Sequence, residues 1–225
     1  MSKTLVITGA SRGIGHALVQ AAAEEGHRVY ALSRNLRTLD QTVLVKPEAI
    51  DITNHEAVSK WTKQLNNKQV KVDALINNAG ALVNKSFRDT EPEDFEAVYR
   101  VNVFGLANLT RLLLPSIHPK GHVVNISSMG GIEKTAKFPG LAAYSSSKAA
   151  VNILTELLAE EYKSTGPAFN GLALGAVQTE MLSEAFPGFE APHTSADMAS
   201  YILKFALEGQ HFFNGKIIPV ANSTP

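Results

Sequence analysis

The sequence predicts an α/β fold in which helices cover both faces of a doubly wound, mainly seven-stranded parallel sheet. Short apolar runs rich in β-branched residues alternate along the chain with stretches of helical periodicity, which is typical of β-α-β units. The runs are almost continuously apolar, as expected for strands covered on both faces. The chain has 225 residues, 44% of them hydrophobic, so we expect one domain over residues 1–225 with one substantial core.

The expected elements follow these two patterns in order. The strands are residues 4–8, 28–32, 49–51, 74–77, 121–127, 169–174 and 216–219. The helices are residues 14–25, 54–66, 93–114, 144–163 and 195–208. Gly26 follows the first helix and is a residue type that commonly ends one. Residues 35–47 barely provide the dozen or so residues that a crossing between parallel strands needs, so we expect a short helix there or none.

Two of the predicted helices, residues 93–114 and 144–163, are apolar around more than one face. A helix on the outside of a sheet needs only one apolar stripe. Either both helices are deeply buried under their neighbours, or they form the interface of a homodimer. We favour the homodimer.

Composition excludes several classes of function. Basic and acidic residues both number 21, and this zero net charge gives no indication of a nucleic acid or a membrane as partner. The chain has no cysteine, which excludes thiolate catalysis and cysteine-bound zinc, and its seven histidines lack the spacing of a metal site. The first apolar run is too short for a signal peptide and no run approaches a membrane span. We therefore expect a cytoplasmic protein without a metal.

A glycine-rich turn follows the first strand. The strand ends at Thr8, and Gly9, Gly13 and Gly15 precede the first helix. Glycines let the backbone approach a phosphate closely, and a helix N-terminus offers N–H donors and a partial positive charge. The turn therefore favours a dinucleotide pyrophosphate. A purely structural turn stays open, because the spacing is not the common Gly-x-Gly-x-x-Gly.

Tyr144 and Lys148 lie one helical turn apart and therefore share a helix face. A positive charge near a phenol lowers the pKa of the phenol, which helps it to exchange protons. The pair indicates an enzyme that moves a proton through Tyr144 and a hydride to or from a nicotinamide. Alone, such a pair also arises by chance.

The motifs together resemble the short single-domain branch of the short-chain dehydrogenase/reductase family. They arrive in the family's order over nearly the whole chain: Thr8-Gly-Ala-Ser-Arg-Gly-Ile-Gly15, Asp51, Asn77-Asn-Ala-Gly80, Asn102, Ser128, Tyr144-Ser-Ser-Ser-Lys148 and Gly175-Ala-Val-Gln-Thr179. The resemblance implies a Rossmann-like fold and an oxidoreductase that interconverts a ketone or aldehyde and an alcohol.

The resemblance also implies the catalytic residues. Tyr144 would be the general acid in reduction and the base in oxidation, its pKa lowered by Lys148 and by the positive nicotinamide. Lys148 would also bind the nicotinamide ribose. Ser128 would stabilise the substrate oxygen, and Asn102 would hold a water in a proton relay. Between Ser127 and Ser128, we choose Ser128 because it matches the family's Ser-Ser pattern.

The cofactor residues implied by the resemblance are Gly9, Ser11, Arg12, Gly13, Ile14, Gly15, Ser33, Arg34, Asp51, Ile52, Asn78, Ala79, Gly80, Tyr144, Lys148, Gly175, Val177 and Thr179. Asp51 would bind the adenine amino group, and Val177 and Thr179 would hold the nicotinamide carboxamide. Residues 78–80 would line the adenosine ribose, while Asn77 has the alternative role of bracing the sheet.

The end of the second strand predicts the choice of nicotinamide. An NAD site has an acidic residue there, about 20 residues beyond the turn. This chain has Ser33 and Arg34 instead, and Arg12 lies in the glycine turn. A guanidinium suits a phosphate by its charge and forked donors, so we predict that the two arginines bind the 2′-phosphate of NADP(H). Solvated surface arginines are the alternative.

The substrate loop of the family corresponds to residues 180–194, which are few and predict an open, partly apolar pocket. We expect the loop that carries Lys134, Lys137 and Phe138 to border the active site. The main alternative function is a regulatory protein that binds NADPH without turnover. The complete catalytic set disfavours it, because a sensor needs no proton donor.

Overall fold

The computed structural model describes residues 1–221, and residues 222–225 of the predicted domain lie outside the described residues. The strands are β1 (Thr4–Thr8), β2 (Arg28–Ser33), β3 (Val45–Ala49), β4 (Val72–Asn77), β5 (Ile117–Ser128), β6 (Ala168–Leu174), β7 (Val177–Gln178), β8 (His193–Thr194) and β9 (Ile217–Val220). The helices are α1 (Gly13–Glu24), α2 (His55–Asn67), α3 (Pro92–Tyr99), α4 (Leu106–Leu113), α5 (Ala142–Glu161), α6 (Glu180–Ala185) and α7 (Ser195–Glu208).

The central sheet has seven parallel strands in the order β3-β2-β1-β4-β5-β6-β9. The predicted fold class is therefore confirmed. The chain winds outward in one direction from β1 to β3 and then in the other from β4 to β9. Ligands of such sheets bind at the carboxyl ends of the strands, where the winding reverses between β1 and β4.

Helices pack on both faces of the sheet, as predicted. Leu5 and Ile7 of β1 face α1 and α7, whereas Val6 between them faces α2 and α4. This alternation follows from the two-residue period of a strand. Both faces are consequently buried, which explains why Leu5, Val6 and Ile7 in the middle of β1 are all apolar.

The third strand differs from its prediction, since β3 covers Val45–Ala49 and not residues 49–51. Its sequence is polar and contains Pro47, which an interior strand does not tolerate. β3 lies at the edge of the sheet, where only one side needs hydrogen bonds. A search for an apolar run therefore misplaces this strand, because an edge strand does not need to be apolar throughout. Residues 34–44 contain turns and no helix, which confirms that part of the prediction.

The predicted helix 93–114 is divided into α3, a π-helical segment at Arg100–Gly105, and α4. Gly105 allows close packing here, because a Cβ at this position would lie 3.0 Å from Ile52 Cγ1. π-helical turns change the direction of side chains and frequently mark functional sites. Three further elements, β7, β8 and α6, have no predicted counterpart, because they are too short to show a periodicity.

The two helices predicted to be apolar on several faces are both partly buried and partly exposed. Leu109 of α4 and Val151 of α5 are fully buried. Phe104, Ile153 and Leu157 are 64%, 65% and 59% exposed. Burial beneath neighbours therefore accounts for only some of the apolar positions. Within residues 1–221, every helix is too short or too polar to cross a bilayer.

Candidate active site

The predicted site residues gather at one edge of the sheet, because they follow the carboxyl ends of neighbouring parallel strands. The glycine turn follows β1, and Ser33 ends β2. Asn78 follows β4, and Ser128 ends β5. Gly175 follows β6. Residues that are up to 166 positions apart, counted from Gly9 to Gly175, thus share this edge.

The glycine turn requires its glycines. Gly9 and Gly13 have positive φ angles of 66° and 53°, which disfavour any residue with a side chain. A Cβ at Gly15 would collide with the carbonyl oxygen of Gly9. No side chain of residues 1–221 caps the N-terminus of α1, which begins at Gly13. The turn therefore directs a helix N-terminus, with its backbone N–H groups, toward the carboxyl edge.

Asn78 fixes the turn from the neighbouring strand. Its Nδ2 donates to the carbonyl oxygen of Thr8 at 3.0 Å, and Thr8 Oγ1 accepts from the backbone N–H groups of Asn78 and Ala79. Asn77 points the other way and donates to Asn125 Oδ1 at 2.8 Å and Thr110 Oγ1 at 3.0 Å. Asn77 thus braces the centre of the sheet, as its alternative role predicts.

The rim of the turn carries the residues predicted to bind a 2′-phosphate. Ser33 Oγ donates to Ser11 Oγ at 2.8 Å, which ties the end of β2 to the turn. Arg34 is exposed. Arg12 Nη1 instead pairs with Glu184 Oε1 of α6 at 2.6 Å. The structure therefore places the two serines together and holds Arg12 in an ion pair that the sequence did not reveal.

Asp51 and Thr179 are two further residues of the predicted cofactor site, and each is fixed by local hydrogen bonds. Asp51 Oδ1 accepts from the backbone N–H and the hydroxyl of Thr53, at 2.9 and 2.8 Å, which fixes the carboxylate two residues beyond β3. Thr179 Oγ1 caps α6 by accepting from the N–H of Leu182 at 3.1 Å. These bonds leave Asp51 Oδ2 and the Thr179 hydroxyl proton for other partners.

Ser128, Tyr144 and Lys148 meet where β5 and α5 approach each other. Tyr144 lies in the first turn of α5, and the hydroxyl of Ser128 is close enough to its phenol to lower the pKa of the phenol. The Nζ of Lys148 lies 5.7 Å from the centre of the Tyr144 ring. The same Nζ donates to the carbonyl oxygen of Ile126 at 2.8 Å, and Lys148 is only 4% exposed.

Burial shifts the pKa values of both titratable groups toward their neutral forms. It lowers the pKa of Lys148 to about 8. It raises the pKa of Tyr144, an effect that the nearby hydroxyl of Ser128 partly offsets. The protein alone therefore shifts the Tyr144 pKa upward, opposite to the predicted lowering. The reason is that desolvation of the phenol outweighs the lowering effect of the Ser128 hydroxyl.

Asn102 occupies the π-helical segment and is fully buried. Its Oδ1 accepts from the N–H of Ala81 at 2.7 Å, and its Nδ2 donates to the Ala81 carbonyl and to Ser147 Oγ at 3.0 and 2.9 Å. Ser147 in turn donates to the carbonyl oxygen of Tyr144 at 2.7 Å. Asn102 therefore joins the segment after β4 to the first turn of α5.

The structure separates the two serines at the end of β5. Ser127 is buried, and its Oγ donates to the backbone carbonyl of Lys148 at 3.3 Å. Ser128 is less buried and lies on the side of Tyr144. Ser127 thus holds α5 in place, while Ser128 can reach a ligand. This geometry supports the choice of Ser128.

Ser147 and Gly131 are structural members of the site that the sequence analysis missed. A Cβ at Gly131 would lie 2.8 Å from the backbone carbon of Lys148, so only glycine allows the turn after β5 to approach α5 so closely. The sequence signal for Ser147 is its place between Tyr144 and Lys148. Nothing in the local sequence distinguishes it from Ser145 and Ser146.

The segment 180–194 contacts the site on two sides. Glu184 pairs with Arg12, and the carbonyl oxygen of Ala185 accepts from Asn84 Nδ2 at 2.8 Å. Phe186 packs on Phe138, with ring centres 6.3 Å apart. The loop that carries Phe138 therefore borders this segment. The segment itself bridges the glycine turn and the loops near the catalytic residues.

A groove of about 770 Å³ lies between α6 and the N-terminal end of α1, with Gly13, His16, Thr179 and Glu184 in its walls. It touches the cofactor turn and does not include Tyr144 or Lys148. Among residues 1–221, no group of three histidine, aspartate or glutamate side chains is arranged to hold a metal ion.

The chain matches a dehydrogenase family model and similar sequences that carry the name oxidoreductase. Residues 3–188 match the sequence model of the short chain dehydrogenase family. An uncharacterized oxidoreductase of Staphylococcus saprophyticus is 30% identical over 216 residues, which cover 90% of this chain and 91% of the relative. An oxidoreductase of Botryotinia fuckeliana is 34% identical over 188 residues, which cover 80% of this chain and 68% of the relative.

Among similar solved structures, one contains NADH and another contains NADP. 4-Hydroxyisoleucine dehydrogenase complexed with NADH is 27% identical, covers 99% of this chain and 98% of its own, and has a TM-score of 0.87. ElxO with NADP bound is 26% identical, covers 98% of this chain and 97% of its own, and has a TM-score of 0.85. Structural similarity therefore does not by itself distinguish between NAD and NADP.

Proposed function

This chain belongs to the short-chain dehydrogenase family, and we propose that it is an NADP(H)-dependent oxidoreductase that interconverts a ketone or aldehyde and an alcohol. The observation that carries the proposal is the meeting of Ser128, Tyr144 and Lys148 at the carboxyl edge that also holds the glycine turn. A proton donor, a hydroxyl for the substrate oxygen and a cation are thus close together. A dinucleotide that crosses this edge from the turn reaches all three.

The residues at this edge fit a dinucleotide. The α1 N-terminus is uncapped by side chains of the described residues, and the turn before it excludes Cβ atoms at Gly9 and Gly15. A pyrophosphate suits both features, because it is anionic and needs close backbone approach. At Gly80, by contrast, a Cβ would make ordinary contacts, 3.6 Å from Asn102 Oδ1 and 3.8 Å from Lys148 Nζ.

The cofactor, when bound, supplies or accepts the hydride, and Tyr144 handles the proton. Burial raises the pKa of Tyr144, so its hydroxyl is protonated at neutral pH and is ready to donate to a carbonyl oxygen. Ser128 donates a hydrogen bond to the same oxygen as negative charge develops there. Lys148 is mostly charged below its pKa of about 8 and stabilises the phenolate that remains. Asn102 positions the Tyr144 turn through Ser147.

The preference for NADP(H) is supported by charge at the rim. Arg12 and Arg34 flank the linked hydroxyls of Ser11 and Ser33, and no acidic residue ends β2. A 2′-phosphate would find two guanidinium groups and two hydroxyls there. A ribose 2′-hydroxyl would lack the carboxylate partner that NAD sites provide.

We also propose that the protein is a homodimer through the helical region of residues 93–114 and α5. Phe104 of the π-helical segment and Ile153 and Leu157 of α5 are exposed apolar residues, and Ile153 and Leu157 share one face of α5. Light scattering after size exclusion should give twice the 24.2 kDa chain mass, and Leu157→Glu should halve it. A monomeric native protein would contradict the proposal. The single domain over residues 1–225 and the cytoplasmic location stay predictions.

The test of the function is NADPH oxidation against a panel of aldehydes, ketones, diketones and quinones. We expect turnover with one compound class, and Tyr144→Phe should reduce kcat by roughly 10³-fold because it removes the proton donor. NADPH affinity should stay within a factor of about 3 in this variant, since the phenyl ring keeps its packing.

Retained turnover in Tyr144→Phe would refute the role of Tyr144. Tight NADPH binding without turnover on the whole panel would instead favour a regulatory NADPH-binding protein. Tyr162→Phe is the matched control, because it removes a phenol from the far end of α5 and should leave kcat unchanged.

A further inference from the structure

α6 presents two carboxylates to the glycine turn. Glu180 and Glu184 are four residues apart and share a helix face. Glu184 Oε1 lies 2.6 Å from Arg12 Nη1. Glu180 Oε2 approaches the backbone at Gly13, where a Cβ would lie 3.4 Å from it. Two consecutive residues of the turn thus face two acidic groups of one helix.

These contacts coincide with the places where the proposed function puts phosphates. Arg12 would bind the 2′-phosphate, which only NADP(H) carries. Gly13 begins α1, whose uncapped N-terminus would bind the pyrophosphate that both cofactors carry. A carboxylate is stabilised at either place for the same reasons as a phosphate, because it meets a guanidinium or the positive end of a helix.

We propose that α6 competes with the phosphates of the cofactor for the turn, and that Glu184 thereby limits the preference of the enzyme for NADP(H) over NAD(H). The proposal rests on the proposed function. Glu184 opposes only the 2′-phosphate, because it acts on Arg12. Glu180 opposes NADPH and NADH equally, because it acts at the pyrophosphate position.

The alternative to competition is that Arg12 binds Glu184 and the 2′-phosphate at the same time and so bridges them. Its guanidinium has five N–H donors and could hold Glu184 and a phosphate together. Two anions on one cation repel each other, however, and the phosphate gains less from a charge that a carboxylate already neutralises. Asn84 and Phe138 also hold the end of α6, so Glu184 remains near Arg12 without the ion pair. Competition and bridging predict opposite changes in NADPH affinity when Glu184 loses its charge.

The experiment measures dissociation constants of NADPH and NADH by calorimetry for the wild type and three single variants. Glu184→Gln should tighten NADPH about threefold, the scale of an exposed ion pair, and should leave NADH unchanged. Glu180→Gln should tighten both cofactors by the same factor. Glu190→Gln removes the same charge from the same segment, where it has no ion-pair partner among the described residues, and should not change the ratio of the two constants.

Measuring Glu184→Gln in an Arg12→Ala background shows whether Glu184 acts through its ion pair with Arg12 or only through its negative charge. If Glu184 acts through Arg12, Glu184→Gln has no effect on NADPH affinity in that background. Weaker NADPH binding in Glu184→Gln would establish bridging and overturn the proposal. An unchanged dissociation constant of NADPH in Glu184→Gln, or an equal change in Glu190→Gln, would also overturn the proposal.

Failure of the underlying function gives a different result. If wild-type affinities for NADPH and NADH are equal and Arg34→Ala leaves them equal, the proposed preference for NADP(H) is wrong. If the preference exists and Glu184→Gln does not increase it, only the competition by α6 is wrong.

Discussion

The catalytic end of α5 and the rim around Arg12 lie at the same sheet edge but differ in construction. At the catalytic end, Asn102 and Lys148 are buried and bonded to backbone groups of other elements. At the rim, Arg12 and Glu184 are half exposed or more and meet through one ion pair. A buried polar group without a partner costs about 1–3 kcal/mol, whereas an exposed ion pair contributes about 0.2–1 kcal/mol.

The difference separates two tasks of the proposed enzyme. Proton transfer needs fixed geometry, and the buried Asn102 and Lys148 supply it because neither can turn to water. Cofactor choice needs only a balance of charges, which an exposed rim can adjust at small cost. Substitutions at the catalytic end should therefore change turnover or stability strongly, and substitutions at the rim should change mainly affinity.

The largest expected effect concerns the buried charge of Lys148. Its pKa falls from 10.5 in the unfolded chain to about 8 in the folded protein, so between these values the unfolded chain binds more protons. The free energy of unfolding therefore rises with pH in this window, by about 3 kcal/mol relative to Lys148→Met. Below pH 8 the difference between the two proteins should be constant. Urea denaturation from pH 7 to 10.5 measures it, and a constant difference throughout would show that Lys148 is effectively solvated.

Ser127 and Ser128 at the end of β5 should differ in the same way, one affecting stability and the other affecting turnover. Ser128→Ala should lower kcat about 100-fold, because it removes the donor to the substrate oxygen. Ser127→Ala should lower the free energy of unfolding by about 1 kcal/mol through loss of its bond to Lys148, with kcat within a few-fold of wild type. Steady-state kinetics and urea denaturation of both variants decide. Reversed effects would assign the catalytic role to Ser127.

Asn102 and Asn84 test whether a buried hydrogen-bonding side chain contributes more to stability than an exposed one. Asn102→Ala leaves both backbone groups of Ala81 without their partner, and we expect a loss of about 2 kcal/mol in the free energy of unfolding. Asn84→Ala removes one exposed bond to Ala185 and should cost less than about 1 kcal/mol. Equal losses would mean that the π-helical segment relaxes around the substitution.

The smallest effect is expected at the rim. Arg34→Ala should raise the dissociation constant of NADPH about tenfold, because a charge-assisted contact to the 2′-phosphate is lost, and should not change that of NADH. Arg37→Ala is the control, since it removes the same charge from the same exposed loop. Equal effects of the two variants on NADPH would indicate general attraction by the loop and not a contact of Arg34.

Much of the fold follows from the sequence, because buried parallel strands and amphipathic helices have strong local patterns. Residues 4–8 and 195–208 have the predicted boundaries. β3 shows where such patterns fail, since this edge strand with Pro47 has one buried core residue, Val45, and otherwise depends on its pairing with β2. The π-helical segment was not predicted for a related reason: Asn102 within it accepts from the N–H of Ala81 and donates to its carbonyl, and Ala81 lies in the loop after β4.

The sequence by itself determined the residue types of the site and their local spacing, including the glycine turn and the Tyr144–Lys148 pair. These are properties of neighbouring residues, and helix or turn geometry converts them directly into shared faces and free N–H groups. Only the tertiary structure decided which groups meet across the chain. The upward shift of the Tyr144 pKa and the pairing of Arg12 with Glu184, 172 residues away, both depend on burial and distance, which packing creates.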